Sequence, residues 1–372
     1  MPHLLVTNDF PPKTGGIQSY LWELWRRLDP REVTVLTTPH DDAPAWDASQ
    51  PFRVVRTRER TLLPTPRLRR RVDGLADEVG ADLIVLDPAL PVGLLGPRLA
   101  RPYALVLHGA EVTVPGRLPG TRRLLAGSLR GARAVVAAGG YPAAEAERAA
   151  RRPLPVTIVP PGVDTTRFRP LDAEGRAKAR ARVGLPPDAR VVLSVSRLVP
   201  RKGMDVLIGA AARLAPTHPD LVVAIGGTGR DRSRLERLVR RAGAPVQLLG
   251  RIPDSDLPDL YGCADLFAML CRNRWAGLEQ EGFGIVFLEA AACGIATVAG
   301  DSGGAAEAVA DGDTGIVVRR PDDVGAATAA LRTLLDDAGR RDAMGAAARA
   351  RALGEFGYDA LAARLADVLV RR

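Results

Sequence analysis

Short apolar runs recur along the whole chain, and longer stretches with helical spacing separate them. In the first half the runs are HLLVT, VTVLTT, FRVVRT, DLIVLD, YALVLHG and AVVAAG; in the second half they are RVVLSVS, LVVAIGG, PVQLLG, DLFAML, IATVAG and TGIVV. Most are apolar at consecutive positions rather than alternating, which is typical of strands that helices cover on both faces. The pattern predicts an α/β protein with two doubly wound parallel sheets.

A segment rich in proline, glycine and aspartate, VPPGVDTTRFRPLD, separates the two sets of runs and is incompatible with regular helix. The length of 372 residues exceeds the usual size of one domain, so two domains are expected. We predict one Rossmann-like domain at 1–165 and a second at 166–354. The closing stretch, 355–372, has helical spacing and is expected to pack back on the first domain. Two such domains facing each other would leave a ligand cleft.

The composition indicates a globular protein with anionic partners. Lys and Arg number 52 against 43 Asp and Glu, a net charge of +9 that favours phosphorylated metabolites, nucleic acid or an anionic membrane. A coding bias toward arginine and alanine explains the excess equally well. Nucleic acid is disfavoured because aromatic residues make up only 4% and do not alternate with basic ones.

The cysteines and the apolar segments bear on location. Three cysteines without a CxxC pair predict reduced thiols of a cytoplasmic protein, with neither a disulfide framework nor a zinc site. No apolar run approaches the ~18 to 20 residues of a membrane span. No secretory signal is visible, so any membrane contact is expected to be peripheral.

Two loops that follow apolar runs are candidates for phosphate binding. TNDFPPKTGGIQSY places Gly15 and Gly16 at the start of a helix, where a ligand can approach the backbone closely. SVSRLVPRKGMDVLI carries Arg197 and Lys202 from a strand end to a helix start, an arrangement suited to a diphosphate. Taken singly, the first also fits an ordinary turn and the second a solvated basic loop.

A third stretch, EQEGFGIVFLEAAACG, holds Glu281 and Glu289 at a spacing of eight. Gly282 and Gly284 give free backbone amides before a helix that begins near Ile285, and Glu289 lies about one turn into that helix. A carboxylate beside a ribose accepts hydrogen bonds from two hydroxyls, whereas a carboxylate at the loop can meet a sugar.

His108 follows the run YALVL and is a candidate contact to a reacting group. Metal ligation is disfavoured there, because no partner ligands are near it in sequence. IGGTGRDR lacks the third glycine of a dinucleotide loop, and no GxxxxGK[ST] motif occurs, so nicotinamide enzymes and P-loop ATPases are disfavoured.

The motifs GGIQSY, HGAEV, PPGVDTTRF, SRLVPRKG, DLFAMLCRNR and EGFGIVFLEAAACG together resemble the large retaining GT-B glycosyltransferase family, family 4, whose signature is Glu-x7-Glu. The resemblance runs over nearly the whole chain. Within the family it is strongest to the actinobacterial branch that transfers mannose from GDP-mannose to phosphatidylinositol monomannoside, with an α-1,6 linkage. It implies a GT-B fold of two Rossmann-like domains facing a cleft, in which 1–165 would face the acceptor and the membrane and 166–354 would bind the nucleotide sugar.

The resemblance also implies a role for each candidate residue. Arg197 and Lys202 would bind the diphosphate of the nucleotide sugar, with Gly15 and Gly16 approaching it from the other domain. Glu281 would contact the donor sugar, with His108 against its reacting side. The other donor contacts would be Gly284, Ile285, Val286 and Glu289 around the diphosphate and ribose, and Arg251 and Ile252 near the base. Asp9 is a candidate acceptor contact.

One position departs from the family pattern and concerns the acceptor. Related sequences commonly read His-Gly-His-Glu, whereas this chain has Ala110 at the second histidine. The first histidine, His108, is kept, so we expect donor chemistry to be kept; the departure bears on acceptor recognition.

No metal or cofactor is expected, because Arg197, Lys202, the Gly16 amide and a helix dipole suffice to stabilise a leaving diphosphate.

For a lipid acceptor the chain needs a route to the bilayer. GRLPGTRRLLAGSLRGARAVV (116–136) has the arginines and leucines of an interfacial amphipathic segment, and PRLRRRV would assist it. A surface helix packed by its leucines is an equally good interpretation. The expected location is cytoplasmic, peripherally on the inner face of the plasma membrane.

Two alternatives stay open. The first keeps the fold but uses another nucleotide sugar, such as a UDP-sugar, with a soluble acceptor. The second is a membrane- or sugar-binding GT-B module without turnover, which the complete set of charged site residues disfavours.

Overall fold

The computed structural model describes residues 1–275 and 277–370 and divides into two compact units. One comprises Met1–Gly162 with Tyr358–Arg372, and the other is Val163–Gly357. The sequence predicted borders at 165/166 and 354/355. Residues 371 and 372 of the predicted closing helix lie outside the described part of the chain.

Within the described residues the first unit contains seven strands: β1 His3–Thr7, β2 Val33–Thr37, β3 Arg53–Arg56, β4 Leu83–Asp87, β5 Tyr103–Leu107, β6 Ala134–Ala137 and β7 Val156–Ile158. They form one parallel sheet in the order β3-β2-β1-β4-β5-β6-β7. The order reverses between β1 and β4, where Thr7 lies opposite Asp87 at the carboxyl ends of both strands. Ligands of doubly wound sheets bind at this kind of switch point.

Helices cover both faces of the first sheet, which is why its central strands are buried at every position. The α-helices are α1 Gly16–Trp25, α2 Ala43–Ala48, α3 Pro66–Glu78, α4 Ala110–Arg117, α5 Pro119–Gly131, α6 Gly140–Ala150 and, from the end of the chain, Tyr358–Val370. Short 3-10 turns span Pro30–Glu32 and Val92–Arg98. Helix α1 and the closing helix share one hydrophobic cluster, and α3, α5 and α6 share another.

The closing helix packs on α1 and β6. Its apolar side chains at the helical spacing noted in the sequence, Leu361, Leu365, Val368 and Leu369, are all buried. Opposite them, Tyr20 and Trp25 of α1 are also buried. The Tyr20 hydroxyl donates to the carbonyl of Val159, 2.8 Å away. These contacts fix the start of α1, and with it the preceding glycine loop, against the sheet.

The described part of the second unit contains six strands: β8 Arg190–Val195, β9 Leu221–Gly226, β10 Val246–Gly250, β11 Leu266–Met269, β12 Thr297–Gly300 and β13 Gly315–Val318. They form a parallel sheet in the order β10-β9-β8-β11-β12-β13, which reverses between β8 and β11. The α-helices are α7 Ala173–Val183, α8 Met204–Leu214, α9 Arg232–Ala242, α10 Leu257–Gly262, α11 Ile285–Ala292, α12 Ala305–Ala308, α13 Val324–Asp336 and α14 Ala338–Glu355; the closing helix of the first unit is α15. Short 3-10 turns span Pro200–Lys202 and Asp254–Asp256.

Candidate functional site

His108 follows β5 directly and contacts the end of β4. Its Nε2 lies 2.6 Å from Oδ1 of Asp87, and the Thr7 hydroxyl donates to Oδ2 of Asp87 over 2.6 Å. Asp87 is fully buried, while the side chain of His108 is 10% exposed. Burial lowers the pKa of His108, but Asp87, Glu111 and Asp9 outweigh burial and raise the pKa above its ordinary value. The switch point of the first sheet thus holds a carboxylate–histidine pair.

Glu111 fixes the backbone at the start of α4. Its carboxylate accepts hydrogen bonds from the amides of His108, at 2.6 Å, and Gly109, at 3.0 Å. A negative charge in the first turn of a helix is favourable, because unpaired amides point at it. Ala110, the position that departs from the family pattern, is the exposed first residue of α4. The glutamate of the HGAE motif therefore has a local structural role.

The glycine loop after β1 brings exposed backbone to the same edge of the first sheet. Asp9 donates its amide to the Thr7 hydroxyl, at 2.8 Å, and accepts a bond from Gln18 Nε2, at 2.7 Å. Gly15 and Gly16 are exposed, and among the described residues no side chain caps α1. A Cβ on Gly15 would meet only the flexible end of Gln18. Packing within the unit therefore leaves the start of α1 open to an anion.

Burial raises the pKa of Asp9, and the neighbouring charge of Asp87 raises it further, while Lys13 and His108 oppose the rise. The pKa of Asp9 remains above its ordinary value. The Asp9 carboxyl therefore holds its proton more tightly than a solvated aspartate does.

In the second unit Glu281 is the centre of a buried charge cluster. Its Oε2 accepts bonds from Lys202 Nζ, at 2.6 Å, and Arg201 Nη1, at 2.7 Å, and lies 3.4 Å from the Cys271 thiol. The side chains of Lys202 and Glu281 are 9% and 8% exposed. Burial raises the pKa of Glu281, but the two cations outweigh burial and hold the pKa below its ordinary value. No residue of the described ranges donates to Oε1, which leaves one oxygen of this carboxylate for a ligand.

Glycine at position 203 allows Lys202 to reach this cluster. Lys202 ends a 3-10 turn after β8, and Gly203 follows with φ of +69°. A Cβ there would lie 2.0 Å from the carbonyl oxygen of Leu270, just after β11. Only glycine permits so close an approach in this backbone conformation. The turn and the end of β11 are therefore held together across the switch point.

Arg197 is exposed, and within the described ranges its side chain has neither an ion pair nor a hydrogen bond. Its backbone is held by the glycine loop of IGGTGRDR: the Leu198 amide donates to Thr228 O at 2.8 Å. Gly227 has φ of +130°, and a Cβ on it would lie 1.9 Å from Ser196 O. The glycines of this loop thus allow close backbone packing that presents Arg197 beyond the strand end.

Glu289 lies on α11, the helix that the sequence predicted to begin near Ile285 and that does begin there. Gly284 precedes it in a left-handed conformation with φ of +89°. Burial raises the pKa of Glu289, and the hydroxyl of Tyr261 beside it lowers the pKa by less. Ile285 and Val286 form the first turn, whose amides no side chain in the described ranges caps. The helix start is open to a phosphate or a hydroxyl.

Arg251 and Ile252 follow β10. Arg251 is exposed, and Ile252 packs over Gly226, on which a Cβ would lie 3.0 Å from Ile252 Cγ1. The Gly227 amide donates to the Gly250 carbonyl at 2.6 Å. The carboxyl ends of β8, β9 and β10 are therefore adjacent. The exposed Arg197 follows β8, and the exposed Arg251 follows β10.

The predicted interfacial segment 116–136 is only partly exposed. Leu125 and Leu129 are buried in the core of the first unit, which corrects their assignment to a membrane-facing surface. Arg130 donates to the carbonyl of Ala150, and Arg133 to that of Leu369. The two leucines point inward because α5 is amphipathic toward its own sheet, whereas Arg130 on the same helix remains exposed.

The outward surface of the first unit retains apolar and basic residues. Leu118 and Leu124 are 54% and 57% exposed, beside the partly exposed Arg122 and the exposed Arg123. At the loop before α3, Leu63 is 52% exposed, and the arginines of PRLRRRV point outward from that helix. No helix within residues 1–275 and 277–370 combines the length and apolar character needed to cross a bilayer.

Several residues that contact the predicted site were missed in the sequence. Asp87 closes the run DLIVLD, and a carboxylate at a strand end beside a switch point is a detectable signal. Arg201 directly precedes Lys202, which was already a candidate, in the motif VPRKG. Tyr261 gave no signal, because its proximity to Glu289 depends on the packing of α10 against α11.

Comparison with known proteins identifies the family. Residues 14–167 match the model of Glycosyltransferase Family 4, and residues 175–351 match that of Glycosyl transferases group 1. The chain is 42% identical to the GDP-mannose-dependent alpha-(1-6)-phosphatidylinositol monomannoside mannosyltransferase of Mycolicibacterium smegmatis, over 99% of this chain and 98% of that one. The chain belongs to the family 4 glycosyltransferases. The predicted family is thereby confirmed.

A second relative and two solved structures are also similar to this family 4 glycosyltransferase. The GDP-mannose-dependent monoacylated alpha-(1-6)-phosphatidylinositol monomannoside mannosyltransferase of Corynebacterium glutamicum is 36% identical, over 98% of this chain and 97% of that one. Anabaena HepE in complex with UDP superposes with a TM-score of 0.84 at 22% identity, covering 99% of each chain. WaaG, a glycosyltransferase involved in lipopolysaccharide biosynthesis, gives 0.71 at 21% identity over both full chains. These structures confirm the predicted GT-B fold.

Proposed function

We propose that this family 4 glycosyltransferase transfers mannose from GDP-mannose to a phosphatidylinositol mannoside and forms an α-1,6 linkage. The named relatives that match over the full chain support the donor and the acceptor class. The observation that carries the proposal within the structure is the cluster in which Lys202 and Arg201 hold Glu281. At the carboxyl edge of the second sheet, this cluster provides cations for a diphosphate and a carboxylate oxygen for a sugar hydroxyl.

The chemistry of glycosyl transfer explains this choice of residues. The transition state has oxocarbenium character, and negative charge accumulates on the leaving diphosphate. Donors already in place lower that barrier, because they need no reorganisation as the charge develops. We assign this task to Arg197, Lys202 and the amides at the starts of α1 and α11. Glu281 would orient the sugar, and Glu289 would bind the ribose.

His108 would contact the sugar near the bond that breaks, and the acceptor hydroxyl would attack from the face of the leaving group. That geometry retains the anomeric configuration, with the departing phosphate taking the hydroxyl proton. A resident metal has no part in this proposal. Arg251 and Ile252 would lie against the base, and Asp9 would meet the acceptor.

For the lipid acceptor, we propose that the first unit docks on anionic membranes through its exposed apolar and basic residues. Leu118 and Leu124 would enter the headgroup boundary, and Arg122 and Arg123 would meet anionic lipid. Each arginine near such a surface adds about 1 kcal/mol of binding free energy. In this proposal the enzyme binds peripherally to the cytoplasmic face of the plasma membrane.

Product identification tests the proposed reaction. The full-length protein is incubated with GDP-mannose or UDP-glucose, and with phosphatidylinositol monomannoside or free inositol, and the products are analysed by mass spectrometry. We expect a dimannoside only with GDP-mannose and the lipid, and linkage analysis giving α-1,6. A product from UDP-glucose or free inositol would support the alternative transferase. Donor binding without any product from either sugar would support a non-catalytic module.

A further inference from the structure

We infer that Asp87 is a positioning residue that holds His108 by Nε2, so that Nδ1 is the ring nitrogen that meets the substrate. The inference deepens the proposed function, because it rests on His108 lying against the donor sugar. Asp87 itself is fully buried and Thr7 and His108 engage its two carboxylate oxygens, so it acts through the histidine.

The geometry around Asp87 leaves the carboxylate little freedom. Oδ1 lies 2.6 Å from His108 Nε2, and Oδ2 accepts the Thr7 hydroxyl at 2.6 Å. Thr7 is fixed in turn, because its oxygen also accepts the Asp9 amide at 2.8 Å. Both carboxylate oxygens are therefore engaged, and three strand ends are tied into one hydrogen-bonded chain.

The contacts of the His108 ring define which nitrogen is available. An ionised carboxylate only accepts hydrogen bonds, so Nε2 must carry a proton toward Asp87. Tyr20 packs edge-on against the ring, with centroids 5.5 Å apart and an interplanar angle of 87°. No residue of the described ranges bonds Nδ1, and the side chain retains 10% exposure. Nδ1 is therefore the nitrogen left for a ligand.

The charges facing His108 favour the doubly protonated ring. Asp87 on β4, Glu111 on α4 and Asp9 after β1 are carboxyl groups that raise the pKa of His108 against the effect of burial. Tyr20 on α1 stays neutral, because burial raises the pKa of its hydroxyl. In the imidazolium form Nδ1 is a donor, suited to a sugar hydroxyl or to an oxygen of the leaving phosphate.

The consequence is a defined pH dependence. If the cation is the working form, transfer falls as the pH rises through the pKa of His108. Removing the charge of Asp87 lowers that pKa, so the alkaline limb of the kcat profile moves to lower pH. A residue that only stabilised the fold would lower activity at every pH and leave the limb in place.

Nitrogen-15 NMR of the histidine rings tests the geometry without any substrate. The protein contains four histidines, and His108→Gln identifies the relevant signals. We expect the neutral ring of His108 to carry its proton on Nε2, and its titration to move to lower pH in Asp87→Asn. A neutral ring protonated on Nδ1, or an unchanged titration in Asp87→Asn, would overturn the inference. The first measurement uses the unmodified protein, so it stands even if Asp87→Asn does not fold.

Kinetics of the same variant test the effect on turnover. We expect Asp87→Asn to lower kcat about 10- to 100-fold, less than the ~10²- to 10³-fold expected for deleting a donor outright. The matched control is Asp82→Asn, an exposed aspartate just before the opposite end of the same strand, which should leave kcat and the pH profile unchanged. An alkaline limb that stays in place in Asp87→Asn overturns the inference. Failure of the proposed donor or acceptor would leave the NMR result intact, which separates the two.

Discussion

Lys202 donates to the carboxylate of Glu281 across 2.6 Å, and each side chain is less than one-tenth exposed. The two residues are far apart in sequence and meet at the switch point of the second sheet. Arg201 contacts the same carboxylate oxygen, so removing one cation leaves Glu281 with the other. The cluster can therefore be tested for function without leaving an isolated buried charge.

Lys202→Ala should lower the rate of mannosyl transfer about 10²- to 10³-fold, because a preorganised cation is removed from the leaving diphosphate. The comparison is Lys178→Ala, whose side chain is 70% exposed on α7 of the same unit. Steady-state kinetics with GDP-mannose and a melting curve for each variant provide the measurement. Full activity in a folded Lys202→Ala protein would remove Lys202 from the site.

The depressed pKa of Glu281 predicts how the cluster contributes to stability. A carboxyl of this kind stabilises the fold fully above its unfolded pKa, and the contribution is lost as the pH falls through the folded pKa. The free energy of unfolding should therefore differ between the protein and Glu281→Gln at neutral pH, and the difference should shrink as the pH falls below the ordinary value of 4.5.

Urea unfolding over a pH series measures this difference. Glu174→Gln serves as the control, because Glu174 is 76% exposed and pairs only with the exposed Lys178 in the described ranges. The free energy of unfolding of Glu174→Gln should stay close to that of the parent protein at every pH, since exposed ion pairs contribute about 0–1 kcal/mol to stability. A pH-independent difference for Glu281→Gln would contradict the assigned ionisation.

Gly16→Val should raise the KM for GDP-mannose about tenfold or more while the melting temperature stays close to that of the parent, if a phosphate approaches the start of α1. Gly16 is exposed, so a side chain there meets no core. Gly120→Val is the matched control, because Gly120 also lies in the first turn of a helix, α5, and nothing lies within 4 Å of a Cβ added there. An unchanged KM in Gly16→Val would leave the glycine with a turn role only.

Replacing Leu118 and Leu124 by serine should weaken flotation with anionic liposomes, because exposed apolar area is lost from the proposed docking surface. Leu353→Ser, at a position 50% exposed on α14 of the other unit, provides the comparison. Vesicles of neutral lipid should bind the unmodified protein less than anionic ones. Equal flotation with both lipids would count against electrostatic docking.

The sequence predicted the alternation of strand and helix because buried parallel strands are continuously apolar, and each of the twelve runs quoted above contains an observed strand. It missed β7, Val156–Ile158, which is only three residues long and lies between prolines. A run that short has no periodicity to detect. Propensity and pattern therefore identify the layers, while the last edge strand depends on pairing with β6.

The site was less completely predictable, for a geometric reason. Arg197, Lys202 and Glu281 stand in motifs whose residue types and spacing indicate anion binding. The link between Asp87 and His108 arises from neighbouring strands, and nothing in the local sequence of either residue specifies the other. The burial of Leu125 and Leu129 was not predictable either, because the apolar residues of an amphipathic helix have the same spacing whether the helix faces its own sheet or a membrane.

The return of the chain to its first unit has a practical consequence for dissecting the enzyme. Because α15 covers α1 and β6, a fragment ending at Gly162 would uncover Tyr20 and the apolar partners of Leu361 and Leu365. To express the first unit alone, residue 162 should instead be joined to residue 358 by a short linker. The complementary piece, Val163–Gly357, is uninterrupted, so it needs no such linker to be expressed alone for nucleotide titrations.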